Sequence, residues 1–474
     1  MQLTKGAIGN LINRYKAVLK KCHLLNVFGS LAVAGMLVMG GAAAAGAADD
    51  VALEGQNNYN SEPTSEVNNL MGGWLVKEGT TTEATGDITL DVKGGTISEI
   101  IGGSYVKTNS DFSATLTHGT ITTVIDGETT SAEFVVGGSK IANSENASLK
   151  TGDISLTINS GAFGNGKLNN NDSNYELVTG GNYLKADQNA MDSSKAEAGH
   201  ITVNINSGTF NTSVVGGSTA HVYDGNGEQS PTLTVTDAST SVTITGGTFG
   251  QSYSTGGGAI NLDPSVIGGG LALVQDGITE TVSASSTITG NTLVTIAQAE
   301  DHMLTINDKV LGGSLAQGKG TTVTVGTEGQ NNTSGVVVEN VTSVGDLVGG
   351  NMAEGGTATL NGSSSVQVAA GTVKGDVMGG SYVRGSGTVT TTGNTGVVFS
   401  AGNAATVSQA EYLVGGDKVL ASSEGAQSTG TISGTSSVTV NGDASVTTGA
   451  VVGGSFSRVL AGTDNRAASA TVAS

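Results

Sequence analysis

The stretch Glu99–Lys107, EIIGGSYVK, returns at Asp376–Arg384 as DVMGGSYVR. Around these two stand FVVGGSK (Phe134–Lys140), SVVGGST (Ser213–Thr219), KVLGGSL (Lys309–Leu315), YLVGGDK (Tyr412–Lys418) and AVVGGSF (Ala450–Phe456). Each reads as an apolar run closed by a glycine-pair corner. The pairs begin at Gly72, Gly102, Gly137, Gly180, Gly216, Gly268, Gly312, Gly349, Gly379, Gly415 and Gly453, at spacings of 30, 35, 43, 36, 52, 44, 37, 30, 36 and 38 residues. A weaker copy, Gly256–Gly258, lies in the longest gap. Repetition on this scale is the mark of a solenoid or another repeat architecture.

A second element precedes many of the pairs. DITLDVKGGTI from Asp87, DISLTINSGAF from Asp153, ITVNINSGTF from Ile201, SVTITGGTF from Ser241 and SVTVNG from Ser437 alternate Val, Ile or Leu with Thr, Ser or Asn. Alternation with period two is the strand pattern. The Ser-Gly or Gly-Gly after it marks a turn in which glycine supplies a positive φ. Each repeat is thus a strand, a glycine turn, a short apolar strand, the corner, and a variable polar stretch. A coarser tier overlies this one. Gly72, Gly102, Gly137 and Gly180 match Gly349, Gly379, Gly415 and Gly453 at offsets of 277, 277, 278 and 273. Surrounding residues match too, as in AEFVVGGSKIANSE from Ala132 and AEYLVGGDKVLASSE from Ala410. A block of this length has been duplicated in tandem.

Composition narrows the fold. Glycine supplies 75 of 474 residues, proline 3, and charged residues 13%. So much glycine argues against a helical enzyme, and the lack of proline and of a three-residue glycine period against collagen. A hydrophobic fraction of 37% is too high for disorder. One repeat has too few apolar residues for its own core and must stack on its neighbours. The expected fold is all-β: a right-handed parallel β-helix over residues 71–474, with 49–70 as an N-terminal linker or cap. Asn159 and Asn206 occupy equivalent places and read either as a stacked ladder or as ordinary turn residues. After Gly453 the repeat stops without an atypical capping sequence, so the expectation is a chain that continues in a longer protein.

Residues 1–48 have another character. Lys5, Arg14, Lys16, Lys20 and Lys21 precede an apolar stretch, Leu24–Met39, and a small-residue tract ending at Ala48, with no acid among them. These are the parts of a secretory signal. Without it, 15 basic residues remain of the 20, against all 40 acids, a formal net charge of −25. That balance excludes nucleic acid as a partner, since phosphate backbones demand basic patches. Cys22, the only cysteine, leaves with the signal.

A long basic signal followed by cysteine-free, acidic, Gly/Ser/Thr/Asn-rich β-repeats resembles the passenger of a type V secreted protein, an autotransporter adhesin. The resemblance implies a β-helix displayed outside a Gram-negative outer membrane, exported through the Sec machinery and an outer-membrane translocator. It also implies a C-terminal β-barrel, and no run of alternating strands with aromatic girdles follows the repeats here.

Few residues suggest chemistry. His23, His118, His200, His221 and His302 are scattered and show no HExxH spacing, and there is no GxSxG. The glycine pairs lack the GxxxxGK[ST] pattern, so no nucleotide is expected. Catalysis on polysaccharide would need facing carboxylates. Asp87 and Asp91 share a strand face, whereas Glu300 and Asp301 point apart. Asp224–Glu228 and Asn169–Asn174 are oxygen-rich but fit no calcium-loop spacing. Trp74, Tyr105, Tyr183, Tyr382 and Phe456 follow their corners. They line up either as sugar contacts on an exposed face or as core residues. The structural turn glycines are Gly102, Gly103, Gly137, Gly138, Gly216, Gly217, Gly312, Gly313, Gly379, Gly380, Gly453 and Gly454. The expected function is that of a non-enzymatic, cofactor-free, surface-displayed adhesin, binding host or bacterial glycans or proteins along its sides. A β-helix hydrolase or lyase and a purely structural stalk or surface-layer component are the alternatives.

Overall fold

The computed structural model describes residues 49–472 except 55–65, 77–80, 85, 108–113, 143–145, 165–175, 188–192, 224–229, 251–264, 276–277, 279–281, 401–404, 422–426, 442–444 and 460–466. The signal segment 1–48 and the Gly256–Gly258 copy lie outside these residues. The chain is all-β, and every strand ladder among the described residues is parallel. Three long sheets of 18, 11 and 19 strands run along a parallel β-helix.

One repeat makes one coil. Strands Ala114–His118 and Ile121–Ile125 lie in the 19-stranded sheet, separated by Gly119 and Thr120. Strand Ser131–Val136 then enters the 18-stranded sheet. The corner Gly137–Ser139 follows, and Lys140–Ala142 joins the 11-stranded sheet. Every one of the eleven glycine pairs is followed by one of those eleven strands. The ladder begins before the first pair: Asp49–Ala52 pairs with Glu66–Met71.

Stacking places like upon like. Ile125, Ile158, Ile205, Ile244 and Ile296 form one in-register column, all at most 1% exposed. Phe163, Phe210 and Phe249, each following a Gly-Ala or Gly-Thr, stack with ring centres 5.0 and 4.5 Å apart. Such pairs contribute about 0.5–1.5 kcal/mol beyond their area. The Asn column is also present: Asn206 Nδ2 donates to Asn159 Oδ1 (2.7 Å), and Asn159 Nδ2 to Asp126 Oδ1 (3.1 Å).

The glycines divide into two classes. Those after the alternating strands, such as Gly95 (φ 105°) and Gly208 (φ 127°), hold the left-handed conformation expected of a turn. The corner glycines do not, and are required for space instead. A Cβ on Gly102 would lie 2.1 Å from Gly137 O and 2.1 Å from Thr123 Oγ1. On Gly180 it would lie 2.3 Å from Val203 Cγ2, and on Gly216 2.5 Å from Val242 Cγ2. Thr123, Val203 and Val242 belong to one column of the 19-stranded sheet. The corner is therefore pressed against the opposite wall, and the cross-section has a waist. On one side of it Leu90, Val92, Ile97 and Ile100 pack together; on the other, Val106, Leu116 and Leu149.

The residue after each pair closes the corner. The backbone N–H of Trp74 donates to Ser104 Oγ (3.0 Å), that of Ser104 to Ser139 Oγ (3.0 Å), that of Ser139 to Asn182 Oδ1 (2.9 Å) and that of Asn182 to Ser218 Oγ (2.9 Å). The series resumes from Gly270 to Ser314, Asn351, Ser381, Asp417 and Ser455. Side-chain oxygens thus satisfy N–H groups which the bend removes from the sheet ladders, as buried donors require. Gly102→Ala is expected to cost about 1–3 kcal/mol by overpacking, seen as a lower urea midpoint in circular dichroism. Gly453→Ala, where a Cβ would meet nothing within 4 Å, is expected to change stability by less than about 0.5 kcal/mol.

Candidate functional site

Consecutive strand residues point to opposite faces. Ile100 packs into the interior, so Ile101 faces outward; the same holds for Val106 and Tyr105 across the corner. Yet Ile101 is 0% and Tyr105 6% exposed. The inward bend at the waist folds the outer faces of two sheets toward each other. Their side chains close into a seam that runs past Met71, Val136, Val215, Leu271, Leu315, Val348 and Met378.

This seam corrects one expectation. Tyr105, Tyr183 and Tyr382 are buried, at 6, 1 and 5% exposure, and cannot offer a ring face to a sugar. They take the buried alternative, packed in the hydrophobic cluster of the seam. Trp74 and Phe456 are half-buried. Trp74 sits one place earlier than the others, in the column of Ser104, so that Leu75 is the residue paired with Tyr105.

Lys140 and Lys418 stand in the seam at equivalent places of the duplicated blocks, and another buried lysine, Lys185, lies in the column of Ala142, His221 and Leu273 with its ammonium 4.5 Å from the Tyr223 ring centre. Lys140 Nζ lies 2.6 Å from Glu99 Oε2 of the preceding coil. Its ammonium is 4.9 Å from the Tyr105 ring centre, 5.0 Å from Phe134 and 5.8 Å from Tyr183. Lys418 pairs with Asp376 Oδ2 in the same way, with Tyr382 at 5.7 Å and Tyr412 at 5.2 Å. The Phe456 ring packs tilted against Tyr412, with ring centres 4.4 Å apart. Glu99 and Asp376, Tyr105 and Tyr382, Phe134 and Tyr412, and Lys140 and Lys418 stand 277, 277, 278 and 278 residues apart. Composition gave no hint of these cages, since lysine is rarely buried unless paired. The signal lay in the block alignment, where both lysines fall directly after GGS or GGD.

Elsewhere the titratable groups serve the architecture. Tyr183 Oη and His221 Nδ1 are 2.8 Å apart. Burial, with Lys185 and Lys140 nearby, holds the His221 imidazole well below its usual range. Burial pushes His118 down to about 4. Asp87 Oδ1 accepts the Thr120 N–H at 2.8 Å, and Asp91 pairs with Lys93 at 2.9 Å. Both are thus engaged in turn and surface contacts. Among the described residues no group of three or more His, Cys, Asp or Glu could hold a metal. The oxygen-rich stretches Asp224–Glu228 and Asn169–Asn174 fall outside those residues.

Two buried acids belong to the corner ladder. Gly270 has no side chain, and the Ser218 N–H is taken instead by Asp237 Oδ2 (2.8 Å), while Asp237 Oδ1 accepts from Ser218 Oγ (2.6 Å). Burial pushes Asp237 up to about 6. Asp417 Oδ1 accepts the Ser381 N–H (2.7 Å), its Oδ2 is buried without a partner, and burial pushes its carboxyl up to about 7.

Comparison with family models, with curated proteins and with solved structures returned no match. The chain is therefore characterised by its own geometry: a waisted coil, a closed outer seam and two lysine cages.

The raised Asp417 carboxyl has a consequence for stability. Its folded value, about 7, exceeds the ordinary 3.8, so protonation favours the folded state. That contribution is complete below about pH 4 and lost as pH rises through about 7. Melting is expected at higher temperature at pH 5 than at pH 8. Asp417→Asn, which places the amide already used at Asn182 and Asn351, is expected to raise the melting temperature at pH 8 and flatten the profile between the two.

Proposed function

We propose that the chain is the non-enzymatic passenger of an exported, cell-surface adhesin. Residues 1–48 would direct it through the Sec route, and an outer-membrane translocator would display it. The partners in this reading are glycans or proteins of host or bacterial surfaces, contacted along the side of the solenoid. No cofactor enters it.

One observation carries the reading. On the outer face of the 19-stranded sheet, the column from Thr234 to Ser469 and its neighbour from Thr236 to Thr471 hold only Thr and Ser over seven successive coils. In a chain with 40 acids and 20 basic residues, this strip is free of charge. Its hydroxyls repeat every ~4.7–4.9 Å from coil to coil, the spacing of neighbouring strands. In the earlier coils Lys150, Lys195 and Glu197 interrupt the same columns. A fixed grid of hydroxyl donors and acceptors suits an extended, hydroxyl-rich ligand. The repeated spacing lets weak contacts add along one rigid surface.

The test is binding of the exported chain to cells and to a glycan array, before and after charge is placed on the strip. Thr324→Glu, Thr359→Glu and Thr390→Glu together are expected to weaken binding at least about tenfold, equivalent to about 1.4 kcal/mol, with the β-sheet circular dichroism retained. Undiminished binding would remove the lateral strip as the adhesive surface.

A further inference from the structure

The two lysine cages are copies, yet their surroundings differ in a way that bears on chemistry. At the second cage, Asp376 Oδ1 accepts two backbone N–H groups, from Glu411 and Tyr412, both at 2.8 Å. Just before these two donors, strand Ala405–Val414 slips its register against the following strand, between Val407 and Ala410, the kind of bulge found beside reactive sites. Asp376 Oδ2 faces the Lys418 ammonium. A third carboxyl lies on the preceding coil: Asp346 Oδ1 accepts the backbone N–H of Asp376 at 2.8 Å, and Asp346 Oδ2 lies 3.6 Å from Lys309 Nζ. Gly375 makes room for it, since a Cβ there would lie 2.1 Å from Asp346 Oδ1. Tyr382 and Tyr412 flank the Lys418 ammonium, and both Lys418 and Asp376 are buried.

We propose that Lys418 and Asp376 condense in the folded chain to an Nε-(β-aspartyl)lysine amide, which ties two neighbouring coils covalently. The ammonium proton first passes to Asp376 Oδ2, turning a buried charge pair into a neutral amine and a neutral acid, a change that desolvation favours. The amine lone pair then forms the N–Cγ bond, and the carbonyl π pair moves onto Oδ1. There the Glu411 and Tyr412 N–H groups hold the developing oxyanion. Asp346 takes one proton from the nitrogen and returns it to Oδ2, which departs as water when the Cγ–Oδ2 bond breaks. One C–N bond and one O–H bond replace one C–O bond and one N–H bond. Nothing is oxidised or reduced, and water is the only product. Burial raises the Asp346 carboxyl from its ordinary value, against the pull of Lys309 and Lys418, which suits a group that must both accept and release a proton.

The first cage is the internal control. In the position of Asp346 it has Asn69, whose Nδ2 donates to Asp50 Oδ1 at 2.6 Å, and in the position of Gly375 it has Ser98. An amide cannot carry the proton, so Lys140 and Glu99 remain an ion pair. One cross-link is expected per chain, not two.

Mass spectrometry of the exported chain tests this directly. The expected result is a polypeptide lighter by one water than its sequence, and, after proteolysis, a branched peptide joining the segment around Asp376 to that around Lys418. Lys418→Arg and Asp346→Asn are each expected to restore the full mass with unchanged β-sheet circular dichroism, and Asp346→Glu to recover the cross-link. The unvaried chain decides the matter even if a variant fails to fold. A chain at full mass, with Lys418 and Asp376 recovered in separate peptides, overturns the proposal. So does a water loss that maps elsewhere. A cross-link at Lys140, or one that survives Asp346→Asn, overturns the role of Asp346.

Discussion

The structure depends on two backbones approaching too closely for side chains. At the ten corners from Gly72 to Gly415 the glycine pair lies against the opposite wall, and a single methyl on Gly102 or Gly216 would overlap backbone or side-chain atoms there. That approach divides the interior into two packed columns and draws the outer sheet faces together into the seam. It also turns several N–H groups out of the sheet ladders, which is why the next residue is Ser, Asn or Asp in nine of the eleven coils. Glycine here contributes absence of volume rather than conformational freedom.

Stability follows the same geometry. No disulfide links the described coils, whose cohesion comes from parallel ladders, identical residues stacked in register and the oxygens of the corner ladder. Two coils depart from the usual serine or asparagine by means of an acid. Asp237 compensates from across the waist for the missing side chain of Gly270, and Asp417 stands directly in the ladder. Each is a buried carboxyl with a raised value, so the chain couples its cohesion to protonation although its surface is strongly acidic.

Much of this was legible in the residues. Alternation in DISLTINSGAF and ITVNINSGTF announced the strands, the doublet spacing announced the repeat though not that one repeat makes one coil, and Asn159 stacks on Asn206. What the sequence did not disclose arises from long-range geometry. Period-two patterning assigns Ile101 and Tyr105 to an outer face, and only the waist explains why that face is buried. The strand on either side of Gly119 is split within one sheet, so the number of strands per coil could not be read from the alternation. Lys140 and Lys418 look like surface residues until Glu99 and Asp376, about forty residues earlier in the chain, arrive beside them through stacking. The uncharged strip of Thr and Ser was hidden for a different reason. Threonine is common in strands generally, and its columns emerge only once the register is known.

The closed waist requires the corner N–H groups to be held by side-chain oxygens of the next coil. Residue-resolved amide hydrogen exchange on the folded chain measures this most directly. Ser104, Ser139, Asn182, Ser314, Asn351 and Ser381 are expected to exchange as slowly as the central strand residues Leu156 and Val203. Exchange at these six as fast as in the exposed turn at Glu300 and Asp301 would contradict a closed, stacked waist.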